Sequence, residues 1–145
     1  MANALSLNIK LDSKEVIHSK DIINLLINGG WSIVKDEKII LLPLHDDDLF
    51  EWTETKISIN EFFKLIDEKE NFKEIIGVEL AWSNTEIGGH ILLYSGREFS
   101  FEFNINTQYV QKELRIPDFN WYAERIFAIL KSKYQIVEYS YEFTY

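Results

Sequence analysis

The clearest structural signal in the sequence is the segment Glu98-Phe99-Ser100-Phe101-Glu102-Phe103-Asn104-Ile105. Polar and apolar side chains alternate along its whole length. A period of two residues places successive side chains on opposite faces of a β-strand. The segment therefore predicts a strand with one buried face and one solvated face, which is common in antiparallel sheets.

Further strands are predicted on both sides of this segment. Ile75 to Trp82 and Ile87 to Tyr94 precede it, and turns at residues 83–86 and 95–97 join the three strands into an antiparallel meander. Both ends of the chain also alternate, at Leu5, Leu7, Ile9 and Leu11 and again at Tyr139, Tyr141, Phe143 and Tyr145. We expect both ends to pair into the same sheet.

A hairpin and three helices complete the prediction. Trp31 to Val34 and Ile39 to Leu42 flank a short polar turn, which is typical of a tight hairpin. Ser58-Ile59-Asn60-Glu61 is a capping box, and the apolar stripe behind it predicts an amphipathic helix. Ser19 or Asp21 is expected to cap an earlier helix that ends at Gly29-Gly30, and Asp118 to cap the last one.

These elements give the order β-α-β-β-α-β-β-β-α-β. The segment Leu44 to Lys56 is polar and is predicted to be a loop, and Asn106 to Ile116 is a looser stretch. Hairpins outnumber crossovers in this order, so the sheet should be mainly antiparallel with the helices on one face. We predict a single α+β domain over residues 1–145.

The composition excludes several classes of function. The chain has 145 residues, with 24 acidic and 15 basic side chains, so its formal charge is 15 − 24 = −9. This charge disfavours nucleic-acid binding and docking to anionic membranes. Cysteine is absent, which excludes disulfides and thiolate chemistry. Because residues 1–12 do not resemble a signal peptide and no long apolar run is present, we expect a cytoplasmic protein.

No catalytic or metal-binding motif is evident. His18, His45 and His90 are scattered along the chain. His45 precedes the aspartates 46–48, but contiguous residues point apart, so a solvated acidic loop is the favoured interpretation. The charged run 67–70 is expected to be an exposed helix end. We therefore predict no catalytic residue, no cofactor and no metal site, and a protein that is not an enzyme.

The most polarised segment is His45 to Glu54. It contains five acidic residues and no lysine or arginine, and it also holds the apolar residues Leu49, Phe50 and Trp52. Aromatic groups surrounded by charge are typical of protein-binding hot spots. The alternative is that Phe50 and Trp52 pack against the core and anchor the loop there. We predict the partner-binding residues to be Asp46, Asp47, Asp48, Glu51, Trp52 and Glu54.

The chain resembles the immunity proteins of bacterial polymorphic-toxin and contact-dependent growth inhibition systems. The resemblance lies in a small, acidic, cysteine-free α+β domain, in the aromatic-rich meander from Val78–Trp82 to Phe99–Phe103, and in the segment Asp118–Tyr122. It implies that the protein binds and neutralises a cognate toxin domain, often a nuclease, as a monomer or a weak dimer. No binding residue is transferred by motif.

Three alternatives remain open at this point. A nucleic-acid mimic that inhibits a DNA-binding enzyme would need regularly spaced carboxylates along an extended face. A small ligand-binding or hydrolytic domain would need a pocket, for which Tyr139, Tyr141 and Trp121 are candidates. An adaptor subunit could dimerise through the aromatic C-terminal strand.

Overall fold

The computed structural model of the chain describes residues 4–144 and contains one nine-stranded sheet, a separate two-stranded ladder and three helices. The helices are α1 (Ser19–Gly29), α2 (Ile59–Asn71) and α3 (Phe119–Lys131). The strands are β1 (Ala4–Asp12), β2 (Trp31–Ser32), β3 (Val34–Lys35), β4 (Lys38–Leu41), β5 (Thr53–Thr55), β6 (Ile76–Trp82), β7 (Gly88–Leu93), β8 (Glu98–Ile105), β9 (Tyr109–Gln111), β10 (Ile116–Pro117) and β11 (Gln135–Thr144). Residues 1–3 and Tyr145, which belong to the predicted terminal segments, lie outside the described residues.

Both ends of the chain pair into the sheet. The main strand order is β11-β1-β8-β7-β6-β4-β3, while β2 pairs with β6 and β5 pairs with β4. Strand β1 lies between β11 and β8, and both pairings are antiparallel. The predicted meander β6-β7-β8 is confirmed, with antiparallel pairing at both of its junctions.

The register of the central strands creates the core. Leu5 faces Phe103, Leu7 faces Phe101 and Ile9 faces Phe99, so the apolar side chains of β1 and β8 lie on one face. All of these side chains are buried. The inner residues of the three helices join the same cluster, so the helices cover this face of the sheet and leave the other face open.

The helix ends follow local sequence signals. In α2, Ser58 and Glu61 form the predicted capping box. In α3, the Asp118 side chain accepts a hydrogen bond from the Trp121 amide, as predicted for an N-cap. The cap of α1 differs from the prediction, because His18 occupies the N-cap and Asp21 lies three residues later, where its carboxylate accepts from the His18 amide.

Three segments depart from the predicted order. The first strand of the hairpin is divided at Ile33, because β2 pairs with β6 whereas β3 pairs with β4. The predicted loop 44–56 contains the short strand β5, which extends the sheet beyond β4. The looser stretch 106–116 contributes to the ladder β9–β10. These pieces are two or three residues long, too short for a period of two to identify them.

The chain is an α+β fold with a mainly antiparallel sheet, as the sequence predicts. No helix within residues 4–144 combines the length and the apolar character needed to cross a membrane.

The β3–β4 turn generates a testable prediction. Asp36 and Glu37 form a two-residue turn, and both have left-handed backbone angles, with φ of 52° and 64°. Glycine adopts this conformation without the steric cost that glutamate carries. Glu37→Gly should therefore raise the free energy of unfolding by about 0.5–1 kcal/mol, measured by urea denaturation.

The control for this variant is Lys56→Gln. Lys56 and Glu37 form an exposed ion pair at 3.7 Å, so this substitution removes the same pair and leaves the turn unchanged. It should leave stability nearly constant. Equal stability of the two variants would contradict the role of backbone conformation in this turn.

Candidate interaction surface

The acidic loop, residues 45–54, follows β4, includes the first two residues of β5 and has an unusual backbone. His45, Asp47, Asp48 and Phe50 all have φ between 53° and 61°. Each such conformation costs roughly 1–3 kcal/mol for a non-glycine residue and persists only where surrounding contacts determine it. The loop therefore requires strong local support.

Asp46 supplies part of that support from inside the loop. Its side chain is buried, and its carboxylate oxygens accept hydrogen bonds from the amides of Phe50 at 2.8 Å and Glu51 at 3.0 Å. Both oxygens are thus engaged within the loop. Of the five carboxylates predicted to bind a partner, Asp46 is the one whose side chain is buried and supports the loop.

Lys69 of helix α2 also supports the loop. Its side chain is completely buried at the end of α2, and Nζ donates hydrogen bonds to the carbonyl oxygens of Pro43 at 2.7 Å and Leu42 at 3.1 Å. The prediction that run 67–70 is exposed is therefore wrong for Lys69. Burial lowers the pKa of Lys69, and the nearby carboxylates of Glu74 and Asp46 oppose that effect.

Glu74 links this lysine to the start of the loop. Its Oε1 lies 3.7 Å from Lys69 Nζ and accepts a 2.7 Å hydrogen bond from the His45 amide. His45 Nδ1 lies 3.2 Å from the other oxygen, Oε2, which is buried and has no aligned hydrogen bond. Helix α2 and the loop are thereby joined through Glu74, which contacts both Lys69 and His45.

The remaining carboxylates of the loop point outward. Asp47, Asp48, Glu51 and Glu54 are exposed, and so are the apolar side chains of Leu49 (66%) and Phe50 (42%). Phe72, also exposed, places its ring 5.2 Å from that of His45. Exposed apolar groups that lie together on a surface are a feature of interaction sites.

Trp52 behaves differently from Phe50. Its side chain is half-buried, and its ring centroid lies 4.3 Å from that of His90 on β7. The ring also covers Gly77 on β6, where a Cβ atom would come within 2.8 Å of it. Trp52 therefore packs the loop onto the open face of the sheet, whereas Phe50 remains available to a partner.

The open face carries a second group of carboxylates. The register aligns Glu142, Ser6, Glu102, His90 and Glu79 in one row across five strands. A second row contains Glu138, Lys10 and Glu98. Within these two rows, Lys10 is the only lysine or arginine, and it lies 3.6 Å from Glu138.

The sequence predicted that β8 has a solvated face, but it did not indicate that these two rows form a site. Its carboxylates belong to strands that are far apart in the chain, and only strand pairing brings them together. The alternation of Glu with apolar residues in β8 and β11 was the available signal.

The other candidate residues do not assemble into a site. Tyr139 and Tyr141 pack on Phe127, whereas Trp121 makes edge-to-face contacts with Trp31 and Trp82 and a cation–π contact with Arg125. The three proposed pocket residues therefore lie in two separate clusters. The three histidines lie near different glutamates: Glu70, Glu74 and Glu79. Within residues 4–144, no three or more His, Asp or Glu side chains are grouped so as to hold a metal ion.

Comparisons of the chain with protein-family models, with curated proteins and with solved structures find no match.

The support of the acidic loop generates a testable prediction. Lys69→Met keeps the approximate length of the side chain but leaves Glu74 and Asp46 without their buried counter-charge. Breaking a buried pair in this way should lower the free energy of unfolding by about 3–5 kcal/mol. Hydrogen exchange at the Phe50 and Glu51 amides, which bond to Asp46, should also become faster.

Lys64→Met is the matched control, because Lys64 lies on the same helix and is exposed. This variant should have the same free energy of unfolding as the unsubstituted protein. A Lys69→Met protein with parental stability and exchange would show that the buried charges do not support the loop.

Proposed function

We propose that this chain is an immunity protein that binds a cognate toxin domain and neutralises it. The partner would be basic, as nucleases are, and the acidic loop would cover its cationic site. Contact-dependent growth inhibition and other polymorphic-toxin systems are the setting for such a pair, and the cytoplasm is where the toxin would meet its inhibitor. The protein would act by binding and would carry out no turnover.

The proposal is supported by the exposed carboxylates of Asp47, Asp48 and Glu51 on a loop that is held from within, and by that of Glu54 on the adjoining strand β5. A preformed surface avoids most of the entropy that a flexible loop would lose on binding. Carboxylates in such positions take the place of substrate phosphates in a cleft lined by lysine and arginine. Opposite fields also raise association rate constants, toward ~10⁸–10⁹ M⁻¹s⁻¹ at low salt.

The alternative of a nucleic-acid mimic has weaker support. In the row across the open face, Glu142, Glu102 and Glu79 lie on alternate strands, so they are about 10 Å apart. Duplex DNA carries about one charge per 1.7 Å of helix axis. Three carboxylates at the wider spacing imitate that density poorly, whereas they suit a surface that extends the contact of the acidic loop.

The charge of the loop is tested by a fourfold variant. The variant combines Asp47→Asn, Asp48→Asn, Glu51→Gln and Glu54→Gln, and the basic partner is the protein captured from the native host. The variant should associate with that partner roughly tenfold or more slowly at low ionic strength. The dependence of that rate on salt should also weaken, since fewer opposite charges steer the encounter. Stopped-flow fluorescence across a salt series measures both quantities.

The matched control changes four exposed carboxylates elsewhere, namely Glu68, Glu86, Glu113 and Glu124, to glutamine. It alters net charge by the same amount. An equal effect of both variants would show that net charge matters and the acidic loop does not.

Substitution of the two aromatic residues of the loop should affect different properties, namely partner binding for one and thermal stability for the other. Phe50→Ala should weaken partner binding by about 1–3 kcal/mol with little change in thermal stability, because its ring is exposed at the surface. Trp52→Ala should lower the thermal midpoint, because it removes packing on His90 and Gly77. Titration calorimetry and thermal denaturation measure the two effects, and a reversed pattern would contradict the assignment.

A further inference from the structure

A cavity of about 560 Å³ lies beside the acidic loop, at the end of α2. We call it the strap pocket, because the segment 16–19 forms one of its walls. The other walls are the end of α2 and the turn between β7 and β8. The residues that matter here are Val16, His18, Glu70, Lys73, Tyr94 and Arg97. This volume falls in the range of sites that enclose a ligand or a side chain.

The pocket shares a wall with a small cavity at the start of the acidic loop. Glu74 also lines it, and Glu74 lines the small cavity formed with the aspartates 46–48. Its Oε1 accepts from the His45 amide at the start of the loop. A partner seated on the acidic loop would therefore lie next to the mouth of the strap pocket.

Two carboxylates, Glu70 and Glu74, and two cations, Lys73 and Arg97, line the strap pocket. Arg97 is engaged elsewhere, since Nη2 donates to the carbonyl oxygens of Ser13 at 2.7 Å and Glu15 at 2.8 Å, and Nη1 lies 3.5 Å from Asp12. Glu74 faces Lys69. Glu70 has two internal partners, Ser19 and His18, and its carboxylate still has lone pairs that can accept from an occupant.

Glu70 is held firmly in place. Its Oε1 accepts from the Ser19 amide at 2.9 Å, and its Oε2 lies 3.0 Å from His18 Nδ1. The C-terminal end of α2, where Glu70 lies, carries the negative end of the helix dipole, which also favours a cation. At the rim, Val16 is 75% exposed and Tyr94 presents an exposed aromatic ring.

A carboxylate at the end of an apolar and aromatic passage fits a long cationic side chain. The aliphatic stem of an arginine packs on apolar surface, its planar guanidinium stacks on aromatic rings, and it donates several hydrogen bonds to a carboxylate. We propose that the strap pocket receives an arginine side chain of the basic partner, with the stem between Val16 and Tyr94 and the guanidinium at Glu70. This proposal rests on the proposed function, whose partner is basic.

The probe that tests the pocket alone is n-butylguanidinium, added to the full-length protein and followed by NMR. Saturable shifts of the Val16 methyl and His18 ring signals are expected at millimolar concentrations. Val16→Arg adds a like charge at the rim and should weaken binding roughly twofold to fivefold, and Glu70→Gln should weaken it by at least as much. Lys73→Gln removes the exposed cation of the pocket and should strengthen binding to a similar degree.

Val110→Arg is the matched control, because Val110 is 70% exposed on β9, at the opposite end of β8 from the β7–β8 turn. It should bind the probe as the parent does. No saturable shift, equal effects of the two arginine variants, or preference for the neutral probe p-cresol would overturn the proposal.

Measurements of partner binding distinguish a failure of the pocket proposal from a failure of the proposed function. If both Val16→Arg and the fourfold loop variant weaken partner binding, the pocket takes part in the interface. If only the loop variant does, the pocket proposal fails and the function stands. If neither does, the proposed function fails, whatever the small probe shows.

Discussion

The ammonium group of Lys69 lies beneath a loop in which four non-glycine residues have left-handed backbone angles. The group donates to the carbonyl oxygens of Leu42 and Pro43, and it faces Glu74, which in turn accepts from the amide of His45. Asp46 closes the loop from within by accepting two amide hydrogen bonds. Because these buried charges depend on one another, the loop conformation and the direction of its outer carboxylates are determined together. Charge concentrated in ten residues thereby becomes a surface with a defined shape.

The sheet determines where that surface lies. Alternation along β1 and β8 sends the apolar side chains toward the helices and the carboxylates toward the open face. Trp52 packs the loop onto that same face, over Gly77 and His90. One end of the loop therefore adjoins the row of carboxylates that ends at His90 and Glu79. An acidic surface of this extent suits a basic protein partner, and the strap pocket at its edge suits a long cationic side chain.

Much of the fold could be predicted from local patterns, whereas the site could be predicted only in part. The alternation at Glu98–Ile105 and the capping box at Ser58 identified their elements, because each pattern reflects the geometry of one strand or one helix end. Short pieces such as β5 depend on pairing with a distant strand, so no local period marks them. The burial of Lys69 was missed because its charged neighbours in sequence resemble an exposed helix end. Asp46 and Asp47 are adjacent and chemically identical, and only the folded loop distinguishes the supporting carboxylate from the exposed one.

We have proposed that this chain neutralises a toxic basic protein by covering its cationic site. The decisive experiment is to purify the partner that this chain captures in its native host and to titrate the partner's activity with the chain. We expect a basic protein whose toxic activity falls to zero at one equivalent of this chain. A captured partner that is acidic, or one whose activity is unchanged at saturation, would contradict it.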